Sequence, residues 1–101
     1  MLNMAQLASV VNLPVQILKQ GKRYIAYTPV LDLSTSGRSI KEAQKRFEQV
    51  ISIFFEEITE AGTIDEVLSD LGWKKQKQEW HPPQVVSQKS VDFRLPTPVA
   101  A

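Results

Sequence analysis

Ser39-Ile40-Lys41-Glu42-Ala43 begins the stretch that decides the fold, and Ala61-Gly62 ends it. Ser39 with Glu42 three residues later is a capping box, in which a hydroxyl and a carboxylate satisfy backbone donors that a helix start leaves free. A helix is therefore expected from Ile40. At 100° per residue, Ile40, Ala43, Phe47, Val50, Ile51, Phe54, Phe55, Ile58 and Ala61 fall in one stripe roughly 140° wide. Gly62 stands where a left-handed C-terminal cap is expected, so the helix runs about 22 residues, or about 33 Å. An apolar stripe of that length needs a whole sheet to cover it.

The residues before Ser39 supply that sheet. From Asn12 to Leu18, Leu13, Val15 and Ile17 alternate with Pro14 and Gln16, the pattern of a strand with one buried face. Pro14 belongs near its start or at an edge. Gln20-Gly21-Lys22 is a turn signal, and Tyr24-Ile25-Ala26-Tyr27 after it suits a pleated surface, so the two segments form a hairpin. Beyond Pro29, Leu31, Leu33 and Thr35 alternate with Asp32, Ser34 and Ser36 up to Gly37, which predicts a third, half-solvated strand.

Downstream, Thr63-Ile64-Asp65-Glu66 repeats the capping-box pattern, and Ile64, Val67, Leu68 and Leu71 share a face before Gly72 ends a second, short helix. Trp73 to Trp80 encloses Lys74, Lys75 and Lys77 and reads as a fourth strand whose lysines guard an exposed edge. His81-Pro82-Pro83 then breaks regular structure. The expected fold is α+β: a three- to four-stranded antiparallel sheet, one long amphipathic helix packed on it and a short second helix, in the order β-β-β-α-α-β. The chain divides into an N-terminal segment (1–11) expected to be loose, an α+β domain (12–83) and an extended tail (84–101).

With 101 residues there is room for one modest core. A net charge of +1 gives no large single-sign field to attract nucleic acid or an acidic membrane. The absence of cysteine excludes disulfides, thiolate chemistry and sulfur-rich zinc sites. No apolar run is long enough to span a bilayer, so a cytoplasmic protein without membrane contact is expected.

The succession of a hairpin, Tyr24-Ile25-Ala26-Tyr27-Thr28-Pro29, a short polar strand ending Ser36-Gly37 and a helix opening Ser39-Ile40-Lys41-Glu42-Ala43 resembles the HicB-type antitoxin family. The resemblance covers Leu13 to Leu71, about 60% of the chain, and the aromatic-x-Ala-x-x-Pro element is its most specific part. It implies a partial ribonuclease-H-like fold that binds and occludes a small RNA-cleaving toxin, within a homodimer or larger assembly. Family members commonly carry Pro-Gly-Cys in the third-strand region, where this chain has Leu31-Asp32-Leu33-Ser34-Thr35. Relatives often end in a DNA-binding module. Here Val91-Asp92-Phe93-Arg94-Leu95-Pro96 resembles the reading strand of a ribbon-helix-helix, but too few residues follow for its two helices, so direct DNA binding is not expected.

No catalytic constellation assembles from the residues. A two-metal nuclease needs several converging carboxylates, but Gln16 occupies the first strand and Asp32 stands alone between Leu31 and Leu33. His81 is the only histidine, too few for a triad or a metal site, and no cofactor is implied. Trp73 and Trp80 read as core or interface residues rather than as a stacking platform for single-stranded nucleic acid.

The candidate contacts lie on the long helix and the tail. Glu56, Glu57 and Glu60 cluster late on the helix while Lys41, Lys45 and Arg46 lie early, an order that opposes the helix dipole. They read either as a solvated face, with local pairs such as Lys45 with Glu48 and Glu42 with Arg46, or as an acidic dock for a basic toxin. Ile53 falls near 220°, outside a buried stripe that spans roughly 280° to 60°, so it is exposed in a monomer. It marks either a subunit contact or an isolated apolar residue. In the tail, Val85, Val86, Val91, Phe93 and Leu95 carry more apolar surface than a linker needs. Val91 and Phe93 are interface candidates if the tail adds to a partner's sheet; the alternatives are that it folds back or stays unstructured. The first reading is a non-catalytic binding protein that covers a toxin; the second is an orphan structural or regulatory homodimer that lacks one.

Overall fold

The computed structural model describes residues 10–98, and the expectation of a loose N-terminal segment falls outside them except at Val10 and Val11. The chain runs β1 (Gln16–Gln20), β2 (Arg23–Thr28), β3 (Leu33–Gly37), α1 (Ile40–Glu60), α2 (Ile64–Asp70), β4 (Lys74–Gln76) and β5 (Glu79–His81). This is the expected α+β fold. The first three strands form an antiparallel meander in the order β1-β2-β3, with Ile17 opposite Ala26 and Ala26 opposite Thr35. The last strand of the expected order is a hairpin. β4 and β5 pair only with each other, and Lys77 and Gln78 both take positive φ to reverse the chain between them.

α1 lies close on the meander because small residues let it. Ala26 of β2 and Ala43 of α1 are fully buried together beside Phe47. At the end of β3, a Cβ built on Gly37 would sit 2.6 Å from the backbone nitrogen of Ala43, closer than real Cβ atoms approach. Glycine at 37 thus sets the distance between β3 and the first turn of α1. Burial of Phe47 in this contact contributes roughly 2–3 kcal/mol. The ends of the apolar stripe, Ile40 and Ala61, are exposed.

Both helices end in the same way. In α1, Gly62 (φ 72°) follows the C-cap Ala61; its N–H donates to the Thr59 carbonyl, and that of Thr63 to the Ile58 carbonyl. In α2, Gly72 (φ 89°) and Trp73 donate to the Ser69 and Leu68 carbonyls. These are paired Schellman motifs, which the glycines make accessible. The helix starts differ. Ser39 Oγ accepts from Glu42 N–H at 3.0 Å as expected, and the Glu42 carboxylate accepts from Arg38 N–H at 2.7 Å, one residue earlier than in a standard capping box. The second capping box does not form. Thr63 already belongs to the α1 terminus, its backbone is not extended (φ −110°, ψ 10°), and its hydroxyl turns back to the Ile58 carbonyl.

The second half of the core lies under the far end of α1, where Val30, Leu31, Ile58, Leu68 and Trp73 are buried together. The third strand was expected from Leu31 but begins at Leu33, because Val30 and Leu31 plunge into this core from the β2–β3 connection. Asp32 turns the chain with φ 50° instead of lying on a strand. Phe54, Phe55 and Trp73 stack edge to face, with ring centroids 5.4 and 6.2 Å apart along the row.

After His81 the described chain forms neither strand nor helix, and residues 84–98 are exposed throughout. The radius of gyration is 18.0 Å, against about 13 Å for a compact domain of 100 residues. The principal extents of 72 × 29 × 24 Å are likewise longer in one direction than a compact domain of this size needs.

Candidate partner-binding surfaces

Three surfaces present side chains that the fold itself does not use. The first is the outer side of α1. Glu56, Glu57 and Glu60 are exposed, and the helical step places Glu60 one turn beyond Glu56 and about 40° around from it. Ile53, 52% exposed, lies one turn before Glu57 on the same side. The structure thus brings four of the sequence candidates onto one face. No basic residue occupies the last turn of α1, so these carboxylates meet the negative end of the helix dipole. Among the described residues the ion pairs are Glu42 with Arg46 at 3.9 Å and Lys75 with Asp65 at 3.5 Å. Neither involves the three late acids, and Lys45 does not pair with Glu48.

The second surface is the outer edge of β1. A meander has two edges, and the two are unlike here. On β3, the Arg46 guanidinium donates to the Ser36 carbonyl at 3.2 Å, so that edge is partly occupied by a cation from α1. On β1, among the described residues, hydrogen bonds are made only to β2. Beside this free edge runs a groove of about 420 Å³, floored by Ile17, Phe47 and Ile51 and bordered by Val15, Gln44 and Glu48. Sequence reasoning offers a sheet edge as a partner contact but not the groove beside it. The signal for the edge was present, since the first strand of a three-stranded meander must be an edge.

The third is the tail. Val91, Phe93 and Leu95 are 72%, 77% and 75% exposed. The structure therefore leaves Val91 and Phe93 in solvent on an element separate from Ile53.

The uncovered face of the sheet is mostly polar. Arg23 donates to Ser36 Oγ at 3.0 Å, and Tyr27 Oη donates to the Asp32 carboxylate at 3.1 Å. That hydrogen bond, with the Asp32 charge, raises the Tyr27 pKa above its ordinary value. Asp32 is thereby a turn residue holding a tyrosine, apart from any second acid. Among the described residues, no three or more His, Cys, Asp or Glu side chains converge to hold a metal ion. His81 is exposed, Trp73 is a core residue, and Trp80 is half-buried under the Lys75 ammonium, 5.7 Å from the ring centroid. A small apolar cavity of about 250 Å³ between Phe55, Leu68, Trp73 and Trp80 is below the size usual for ligand pockets. No described helix is long and apolar enough to cross a membrane.

Comparison with protein-family models, with curated proteins and with solved structures gives no match to this chain.

Proposed function

We propose that this chain is a non-catalytic, cytoplasmic binding protein of the HicB antitoxin type, a homodimer that covers a small, basic, RNA-cleaving toxin with the outer face of α1. The observation that carries this reading is the acidic face itself. Ile53 with Glu56, Glu57 and Glu60 gives one apolar contact ringed by three carboxylates without ion-pair partners among the described residues. Carboxylates at the negative end of a helix dipole repel one another and the helix, and a cationic partner relieves both. The residues behind the resemblance support the fold part of the reading and not the partner: Ala26 and Ala43 are buried packing positions, unavailable to a toxin.

The test is to co-purify this protein with the product of a neighbouring small open reading frame and to assay RNA cleavage by that product alone and in complex. The expected result is a stable complex that suppresses cleavage and weakens with salt. Charge reversal at all three acids (E56K/E57K/E60K) should abolish binding with the fold intact by circular dichroism. Unchanged affinity would reject the dock.

The second reading is an orphan structural or regulatory homodimer without a toxin. Its motivation is the third-strand region, where Leu31 is a core residue and Asp32 a turn residue in place of the family's Pro-Gly-Cys. A genome that encodes no small basic neighbour beside this chain would favour it.

A further inference from the structure

We propose that the groove between β1 and α1 receives Val91–Leu95 of a second copy of this chain, which adds to the free edge of β1 as a fourth strand, each copy lending its tail to the other. The proposal deepens the homodimer part of the reading above and is independent of the toxin.

Four observations converge on it. The groove is mostly apolar and adjoins the edge of the three-stranded sheet whose hydrogen bonds, among the described residues, are all on its inner side. Val91-Asp92-Phe93-Arg94-Leu95 alternates apolar and polar residues with the period of a strand, so Val91, Phe93 and Leu95 share one face. Those three side chains are about three-quarters exposed in the single chain, which leaves large apolar groups in water without a use. Finally, the lengths agree. β1 has five residues, Val91–Leu95 has five, and Pro96, lacking an N–H, stops the pairing after Leu95.

The geometry selects a second copy over the same chain. Pro82–Val85 border one cleft together with Val11–Pro14, so the tail departs beside the residues that lead into β1. Within one chain, however, residues 84–98 are exposed and none of them lines the groove, so the strand that fills it comes from a second copy. The intervening Val86–Ser90 extend roughly 17 Å, enough to reach a neighbour across a twofold axis. Docked on β1, Val91, Phe93 and Leu95 face Ile17, Phe47 and Ile51, while Asp92 and Arg94 stay on the solvated side with Gln16 and Leu18. Backbone pairing supplies affinity and the three side chains fix the register.

The chain lacks cysteine, which permits a direct test. Light scattering should give twice the 11.4 kDa chain mass for the wild type. It should give one chain mass for V91D/F93D, with unchanged circular dichroism, because neither side chain packs on its own fold. Mixing a Gln16→Cys chain with an Asp92→Cys chain under oxidation should produce a disulfide-linked heterodimer. A monomeric wild type, a dimer that survives V91D/F93D, or a Q16C/D92C double variant that cross-links only within one chain would each overturn the proposal. A tail-exchanged dimer that binds no basic partner leaves it standing and removes the toxin reading; a monomer that binds one does the reverse.

Discussion

The indole N–H of Trp73 donates a 2.7 Å hydrogen bond to the carbonyl of Val30, joining residues 43 positions apart inside the core. This contact ties the end of α2 to the β2–β3 connection, and it gives Trp73 a polar role as well as an apolar one. Trp73→Phe keeps most of the packing but strands a buried carbonyl, at a cost of about 1–3 kcal/mol. Trp73→Ala adds a cavity and should cost about 3–5 kcal/mol. Urea denaturation of the two variants measures both, and a Trp73→Phe variant as stable as the wild type would show that the hydrogen bond contributes nothing.

Gly37→Ala should be the most damaging single-methyl change in the sheet. The added Cβ meets backbone atoms of Glu42 and Ala43 at 2.6–3.0 Å, which no side-chain rotation relieves. Forcing α1 away from β3 is expected to cost about 3 kcal/mol, visible as a lowered melting temperature.

Thr28 offers the opposite sign. Its side chain is fully buried and its hydroxyl has no hydrogen-bond partner. Thr28→Val keeps the shape and removes the unpaired group, and should stabilise the protein by about 1 kcal/mol in the same denaturation assay.

The Arg38 N–H hydrogen bond, assisted by the Arg46 and Arg38 charges, holds the Glu42 pKa below its ordinary 4.5. A depressed folded-state pKa contributes stability that is complete above the unfolded value and disappears as pH falls through the folded one. The melting-temperature difference between wild type and Glu42→Gln should therefore be largest near neutral pH and shrink below pH 4.5. Because Glu42 is solvent-accessible, added salt should shrink it too. A difference independent of pH would assign Glu42 a purely neutral hydrogen-bonding role.

Lys77 (φ 51°) and Gln78 (φ 67°) occupy the two centre positions of the β4–β5 hairpin, both in the left-handed region that Asn and Gly tolerate best. Replacing the pair with Asn-Gly should relieve about 1–2 kcal/mol of backbone strain. Slower amide exchange at Gln76 and Glu79 would report it.

What could be read from the sequence follows the distance over which each signal acts. Ser39 with Glu42 and Gly62 fixed both ends of α1 to within a residue, because caps are local chemistry. The meander followed from short connections between alternating segments. Leu31 misled because a strand pattern and a core plug look alike over a few residues; only the Trp73 indole, 43 positions away, shows that the Val30 carbonyl turns inward. Thr63 misled because it serves two helix ends at once, and one side chain cannot cap both. Of the candidate contacts, the exposure of Ile53 followed from its helical angle alone. The groove beside β1 required knowing how closely α1 lies on the sheet, which Gly37 decides and no pattern of hydrophobicity encodes.

The Trp73–Val30 contact also bears on the order in which the chain acquires its structure. Neighbouring elements from β1 to α1 are joined by short connections, so this part of the fold forms from contacts close in sequence and should assemble quickly. The pocket of Val30, Leu31 and Ile58 stays unroofed until residue 73 arrives. During synthesis, the nascent meander and helix therefore expose an apolar end for as long as the ribosome takes to deliver α2 and the tryptophan behind it, and premature termination in that interval yields a sticky fragment.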